Sequence, residues 1–286
     1  ARAGVGLIIV EHAYISQDGR VRQTQLGAYS DDLLPGLRRL AEAVHEAGAA
    51  IAMQINHAGA KATAAVTGLQ PVGPSDVRPP GATETPRPLT SGEIAALVQA
   101  FASAARRCQQ AGFDAVEVHG AHGYLLSQFL SPLTNRRTDR YGGDDAGRLR
   151  FPCEAIEAVR AVVGTGYPVF YRYGADDLVE GGITPADACR LAPALVAAGV
   201  DVLDVSGGLG GSGNDRFSEQ GYFVPLASSI GRASHALVVG IGNIRDPEYA
   251  DRVIREGRVD LVAVGRAQLE DAEWAAKARV RLGAGD

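Results

Sequence analysis

The chain has 286 residues, 46% of them hydrophobic, and a formal net charge of -5. That length suffices for one large α/β domain with a substantial buried core, and the negative balance supplies no broad positive field for nucleic acid or an anionic membrane surface. No segment approaches the roughly 20 continuous apolar residues of a membrane span, and the N-terminus shows no basic region leading into an apolar run, so a soluble, cytoplasmic protein is expected. Three widely spaced cysteines, Cys108, Cys153 and Cys189, fit reduced thiols on helices better than a disulfide framework or a metal cluster.

Short runs rich in β-branched residues alternate with longer helical patterns, the mark of repeated βα units and a parallel sheet. In chain order the predicted strands are Gly6–Glu11, Ala50–Asn56, Ala115–Gly120, Pro168–Gly174, Val202–Gly207, Leu237–Gly242 and Leu261–Gly265. Between them Thr90 with Glu93 reads as a capping box, Pro185 and Pro247 suit first helical turns, and Gly48, Gly112, Gly199 and Gly257 suit helix ends. A helix end, a glycine, an apolar residue and an aspartate recur before strands at Ala111–Asp114, Ala198–Asp201 and Glu256–Asp260, one copy per junction. The expected fold is a (β/α)8 barrel, a single domain over residues 1–286. A closed barrel needs eight strands, so seven imply that the first is missing from this chain and the domain is N-terminally incomplete. The run Gly208–Gly213 has the glycine spacing of a dinucleotide loop, but Asn214-Asp215-Arg216 begins no helix, so a mobile loop is the better reading.

In a parallel barrel, function gathers at the C-terminal ends of strands. Gln54, Asn56 and His57 end one strand, Glu117, His119 and His122 the next, then Arg172, then Asp204 and Ser206. His119, His122 and Tyr124 place two imidazoles and a phenol at one rim. Two ring N–H donors can hold a carbonyl oxygen as negative charge develops on it, and the phenol can deliver a proton. The rival readings are structural histidines, or a zinc site with Glu117 as third ligand, which would make the protein a metal-dependent hydrolase or aldolase. Arg172, in an apolar strand, is either a fixed charge beside an electron-rich ligand or the partner of Asp204 or Glu117. Gly242-Asn243 and Gly265-Arg266 end the last two strands, where barrels often hold a phosphate.

These residues closely resemble the old yellow enzyme family of FMN-dependent ene-reductases, in particular the bacterial NADH:flavin oxidoreductases. The resemblance runs from about Gly4 to Ala275 and rests on Gln54-Ile55-Asn56-His57-Ala58-Gly59, Glu117 through Tyr124, Ser131 through Gly143, and Asp260 through Arg266. It implies that Gln54 and Arg172 contact the flavin ring, that Gly242, Asn243, Gly265 and Arg266 surround the FMN phosphate, and that His119 and His122 bind the substrate carbonyl while Tyr124 donates a proton. His12 falls where the family sets a small or polar residue against the flavin. Asn243 stands where glycine is commoner, which would restrict the backbone. The implied reaction is ping-pong: NADH or NADPH reduces FMN, then an enone, dienoate or quinone is reduced. The expected partner is that small molecule, and a homo-oligomer is compatible with it. A non-catalytic barrel fragment is the further alternative.

Overall fold

The computed structural model describes residues 1–213 and 217–283. Seven strands form one parallel sheet whose spatial order follows the chain: β1 (Leu7–Tyr14), β2 (Ala50–Asn56), β3 (Ala115–Gly120), β4 (Val169–Asp176), β5 (Val202–Gly207), β6 (Leu237–Gly240) and β7 (Leu261–Val262). Helices connect them, among them α1 (Leu34–His45), α2 (Ser91–Gln110), a short α3 (Leu125–Leu130), α4 (Asp145–Val163) and α5 (Pro185–Ala197). Val72–Gly73 and Arg87–Pro88 make a separate two-stranded sheet in the long β2 to α2 connection.

Strand alternation gives the sheet two apolar faces. The outer face, with residues such as Val116, Val118, Tyr171 and Leu203, packs on the helices. On the other face Ala52, Ala115, Phe170, Val202 and Val239 form one cluster that Leu7 and Ile9 of β1 join from one end and Ala263 from the other. First and last strands therefore reach the same interior, which means the sheet is curled. Among the described residues no backbone ladder joins β1 to β7.

The helix signals hold. Thr90 accepts from the Glu93 N–H at 3.2 Å while the Glu93 carboxylate accepts from the Thr90 N–H at 2.8 Å, Pro185 and Pro247 open their helices, and all three cysteines lie on helices as free thiols. Four strands differ from expectation at their ends: β4 runs from Val169 to Asp176 rather than from Pro168 to Gly174, β6 stops at Gly240 rather than Gly242, and the first and last strands differ more. The last strand stops at Val262, because the chain then turns toward the cap of the Arg266–Glu270 helix at Gly265. The first strand runs on past Glu11 to Tyr14, with a bulge on the way: Val10 pairs with Met53 and Ala13 with Ile55, so Glu11 and His12 oppose Gln54 alone. A bulge re-aims the side chain it carries, and here it matters for His12. Gly208–Gly211 forms turns, and the Asn214–Arg216 part of that loop lies outside the described residues.

At the C-terminal end of β3, Gly120 lies against the outer layer, and a Cβ added there would stand 2.0 Å from the Tyr171 hydroxyl. Gly120→Ala should therefore cost about 1–3 kcal/mol or more by overpacking. Gly166→Ala, where a Cβ meets nothing within 4 Å, should be close to neutral, and urea unfolding of both variants checks the contrast.

Candidate functional site

Two layers of polar side chains line the interior. In the deeper one, Gln54 of β2 faces Glu117 of β3, its register partner, and donates through Nε2 to Glu117 Oε1 at 2.5 Å. Arg172 of β4 faces its own register partner, Asp204 of β5, and the two form an ion pair. A charge inside a sheet needs such a counter-ion. Glu117 is fully buried beside Asp204, and burial first, then the Asp204 charge, pushes its pKa up to about 8. The Arg172 guanidinium contacts Asp204 directly, and Glu117, raised in this way, holds its proton at pH 7. Glu117 Oε2, Asp204 Oδ1, Arg172 Nε and Asn56 Oδ1 have no hydrogen-bond partner among the described residues.

The layer above joins the ends of β1, β2, β3 and β5. His119 is 1% exposed and its Nδ1 accepts from the Ala121 N–H at 3.2 Å, which leaves the proton on Nε2. That nitrogen lies 3.3 Å from His122 Nδ1, and His122 Nε2 lies 2.7 Å from the Ser206 hydroxyl. His122 takes a left-handed backbone, φ 56°, with its N–H on the Gly207 carbonyl and its own carbonyl held by the Lys61 ammonium at 2.7 Å. Burial foremost, and then surrounding cationic groups including Arg172, hold both imidazoles well below the ordinary histidine range. They are neutral at pH 7. Tyr124, whose pKa burial raises, packs edge-on to His119 with ring centroids 4.9 Å apart. Its hydroxyl lies 3.2 Å from His12 Nε2. Gln128 of α3 ties the two motif loops together: Oε1 accepts from the Ala60 N–H, and Nε2 donates to the Ala58 and Gly123 carbonyls.

Thus Gln54, Arg172, His12, His119, His122 and Tyr124 converge on one interior. Gly242, Asn243, Gly265 and Arg266 stand apart at the ends of the last two strands. Asn243 adopts φ 50°, so it takes the left-handed conformation expected of glycine there, which asparagine tolerates better than most residues. Gly265 caps the Arg266–Glu270 helix with no side-chain cap bond, and Gly265 and Arg266 are exposed. Among the described residues no three His, Cys, Asp or Glu side chains are grouped as metal ligands; Glu117 is turned instead to Gln54 and Asp204. Lys61 and Gln25 belong to the site and were not anticipated. Lys61 lies two residues beyond the Gln54–Gly59 motif, which was a signal; Gln25 offered none.

Residues 1–283 match the NADH:flavin oxidoreductase / NADH oxidase family. The chain belongs to it. This is the old yellow enzyme family. Among its relatives, an NADH oxidase of Thermoanaerobacter brockii is 46% identical over 98% of this chain and 44% of its own length. An NADPH dehydrogenase of Geobacillus sp. (strain WCH70) is 41% identical over 98% of the chain and 80% of its own length. The chain therefore spans less than half of the first relative and four-fifths of the second. A structure of morphinone reductase in complex with tetrahydroNAD superposes with a TM-score of 0.83 at 33% identity, over 99% of this chain and 80% of that one. The curled parallel sheet is accordingly seven strands of an old yellow enzyme (β/α)8 barrel.

The cofactor of this family is FMN, and the interior suits it. The ring edge of a flavin presents carbonyl oxygens and an N–H group, and the wall offers the Gln54 amide, the partnerless Arg172 Nε and the partnerless Asn56 Oδ1.

The buried carboxyl pair makes stability depend on pH. A carboxyl whose folded pKa is raised contributes stability that is complete below its unfolded value and lost as pH rises toward the folded one. For Glu117 that window runs from about 4.5 to about 8. Between pH 5 and pH 8 the protein should lose on the order of 3 kcal/mol relative to Glu117→Gln, read from urea midpoints of both proteins at each pH. Parallel pH dependences would place the proton elsewhere.

Proposed function

We propose that this site uses NADH or NADPH, through FMN, to reduce the activated C=C bond of an α,β-unsaturated carbonyl compound in two alternating half-reactions. The observation that carries the reading is the convergence of His119 Nε2 and His122 Nδ1 on one point, 3.3 Å apart, with the Tyr124 phenol alongside. When bound, FMN supplies hydride transfer to the substrate.

The chain's own groups do the rest. In the resting arrangement His119 donates a hydrogen bond to His122, so His122 carries its proton on Nε2 and donates a hydrogen bond to Ser206. A substrate carbonyl oxygen entering between the rings takes the His119 N–H. With its single proton on Nδ1 instead, His122 donates to the same oxygen, and Ser206, which can donate as well as accept, donates a hydrogen bond to Nε2 while keeping its own proton. Two neutral donors are thereby aimed at the oxygen on which enolate charge grows. Tyr124, kept protonated by burial, protonates the α-carbon. Arg172, fixed by Asp204, sets a positive charge beside the flavin ring, Gln54 bonds its edge, and Gly242, Asn243, Gly265 and Arg266 hold the phosphate. His12 stands at the flavin side of the same cavity. The domain is one barrel over residues 1–286, and the free thiols Cys108, Cys153 and Cys189 favour a cytoplasmic setting.

Tyr124→Phe tests this. Stopped-flow measurement should show FMN reduction by NAD(P)H within about twofold of the parent, with reoxidation by a cyclohexenone slowed about 100-fold or more. Equal slowing of both half-reactions, or of neither, would remove Tyr124 as the proton donor.

A further inference from the structure

His12 reaches the site only because the bulge in β1 sets Glu11 and His12 against the single residue Gln54. Its surroundings fix where its proton lies. Gln25 accepts from the Val21 N–H through Oε1 at 2.7 Å and donates through Nε2 to the His12 carbonyl at 2.9 Å. These two backbone contacts settle which end of the amide is which, so the group facing His12 Nδ1, also at 2.9 Å, is an NH2 donor. Asn56 Nδ2 is turned to the same ring nitrogen at 3.4 Å. A nitrogen that faces amide donors is an acceptor and carries no proton. The neutral ring must then carry its hydrogen on Nε2, 3.2 Å from the Tyr124 oxygen.

We propose that His12 is a positioning residue for Tyr124: its Nε2–H donates to the phenol oxygen, turns the phenol hydrogen toward the substrate, and stabilises the phenolate left after that hydrogen is given up. This rests on the reading of Tyr124 as proton donor. Unaided, a buried phenol is a poor acid, because its anion is costly to form away from water. A donor aimed at the oxygen lowers that cost in the charged form more than in the neutral one. His12 does not relay protons, since Nδ1 is occupied by two amides that have none to release; Tyr124 is itself partly exposed and takes its replacement proton from solvent. The charged and titratable groups facing the pair are Glu11 and Arg22, ion-paired at 2.5 Å on the rim, His119 against both rings, His122 beyond it, and Lys61 5.6 Å over the Tyr124 ring. Burial holds His12 below the ordinary histidine range, so it is neutral at pH 7.

Two measurements on the FMN-loaded protein test the inference. In the unmodified protein, ring-nitrogen NMR should show His12 as the Nε2–H tautomer; an Nδ1–H ring would overturn the proposal without any substitution. With tyrosine labelled at Cζ and the Tyr124 signal assigned by its loss in Tyr124→Phe, His12→Phe should raise the phenol pKa by about 1–2 units. It should also lower kcat about tenfold with KM within about twofold. His12→Gln, which keeps an N–H near the Nε2 position, should restore most of both. A phenol pKa that is the same in all three proteins overturns the proposal. A raised pKa with kcat unchanged leaves the hydrogen bond standing and overturns the proton-donor reading of Tyr124 instead.

Discussion

A guanidinium sits inside this curled sheet, and the arrangement of the polar interior follows from keeping it there. Arg172 is admissible only because Asp204, its register partner on the next strand, supplies the opposite charge at contact distance. One cation cannot also neutralise Glu117, so that carboxyl keeps its proton, and Gln54 is then drawn to it as a hydrogen-bond donor. The deeper layer is thus a chain of mutual obligations running across four adjacent strands. It leaves a few polar atoms facing the cavity unmatched, which is the condition in which a polar ring edge is bound rather than merely accommodated.

The upper layer obeys a different rule. Its histidines and tyrosine are neutral, so they act through the placement of single hydrogens rather than through charge. One backbone N–H fixes the His119 tautomer, and the Ser206 hydroxyl can follow either tautomer of His122. On the other side of the phenol, the Gln25 and Asn56 amides fix His12. The polar interior is thus divided between a positive charge held below and hydrogens that can be re-aimed above.

Much of this could be read from the sequence, and the exceptions have physical causes. The strands were visible because each is a short apolar run bounded by glycine, and the paired histidines were visible because they end one of them. Arg172 came with two candidate partners, and only the strand register, which places it opposite Asp204, decides between them. The β1 bulge was not legible: nothing in Val10-Glu11-His12-Ala13 marks an extra residue, because the bulge exists only relative to β2. Gln25 was hidden for the same reason, lying in an irregular segment whose docking onto His12 is purely tertiary. The most distinctive motif, Ser131 through Gly143, proves to be a brace, with the Asn135 amide holding the Phe129 and Tyr141 carbonyls and Ser131 bonded to Asp177. It identified the family, yet its bonds lie away from the His119, His122 and Tyr124 cluster.

The three hydrogen bonds of Gln128 carry one more implication. They join the loop after β2 to the loop after β3, so the Gln54–Lys61 and His119–Tyr124 motifs share a single buried amide. Groups joined in one network do not respond independently to change. A substitution in Gln54–Lys61 and one in His119–Tyr124 should therefore have non-additive effects on stability, because each loop holds the amide that anchors the other.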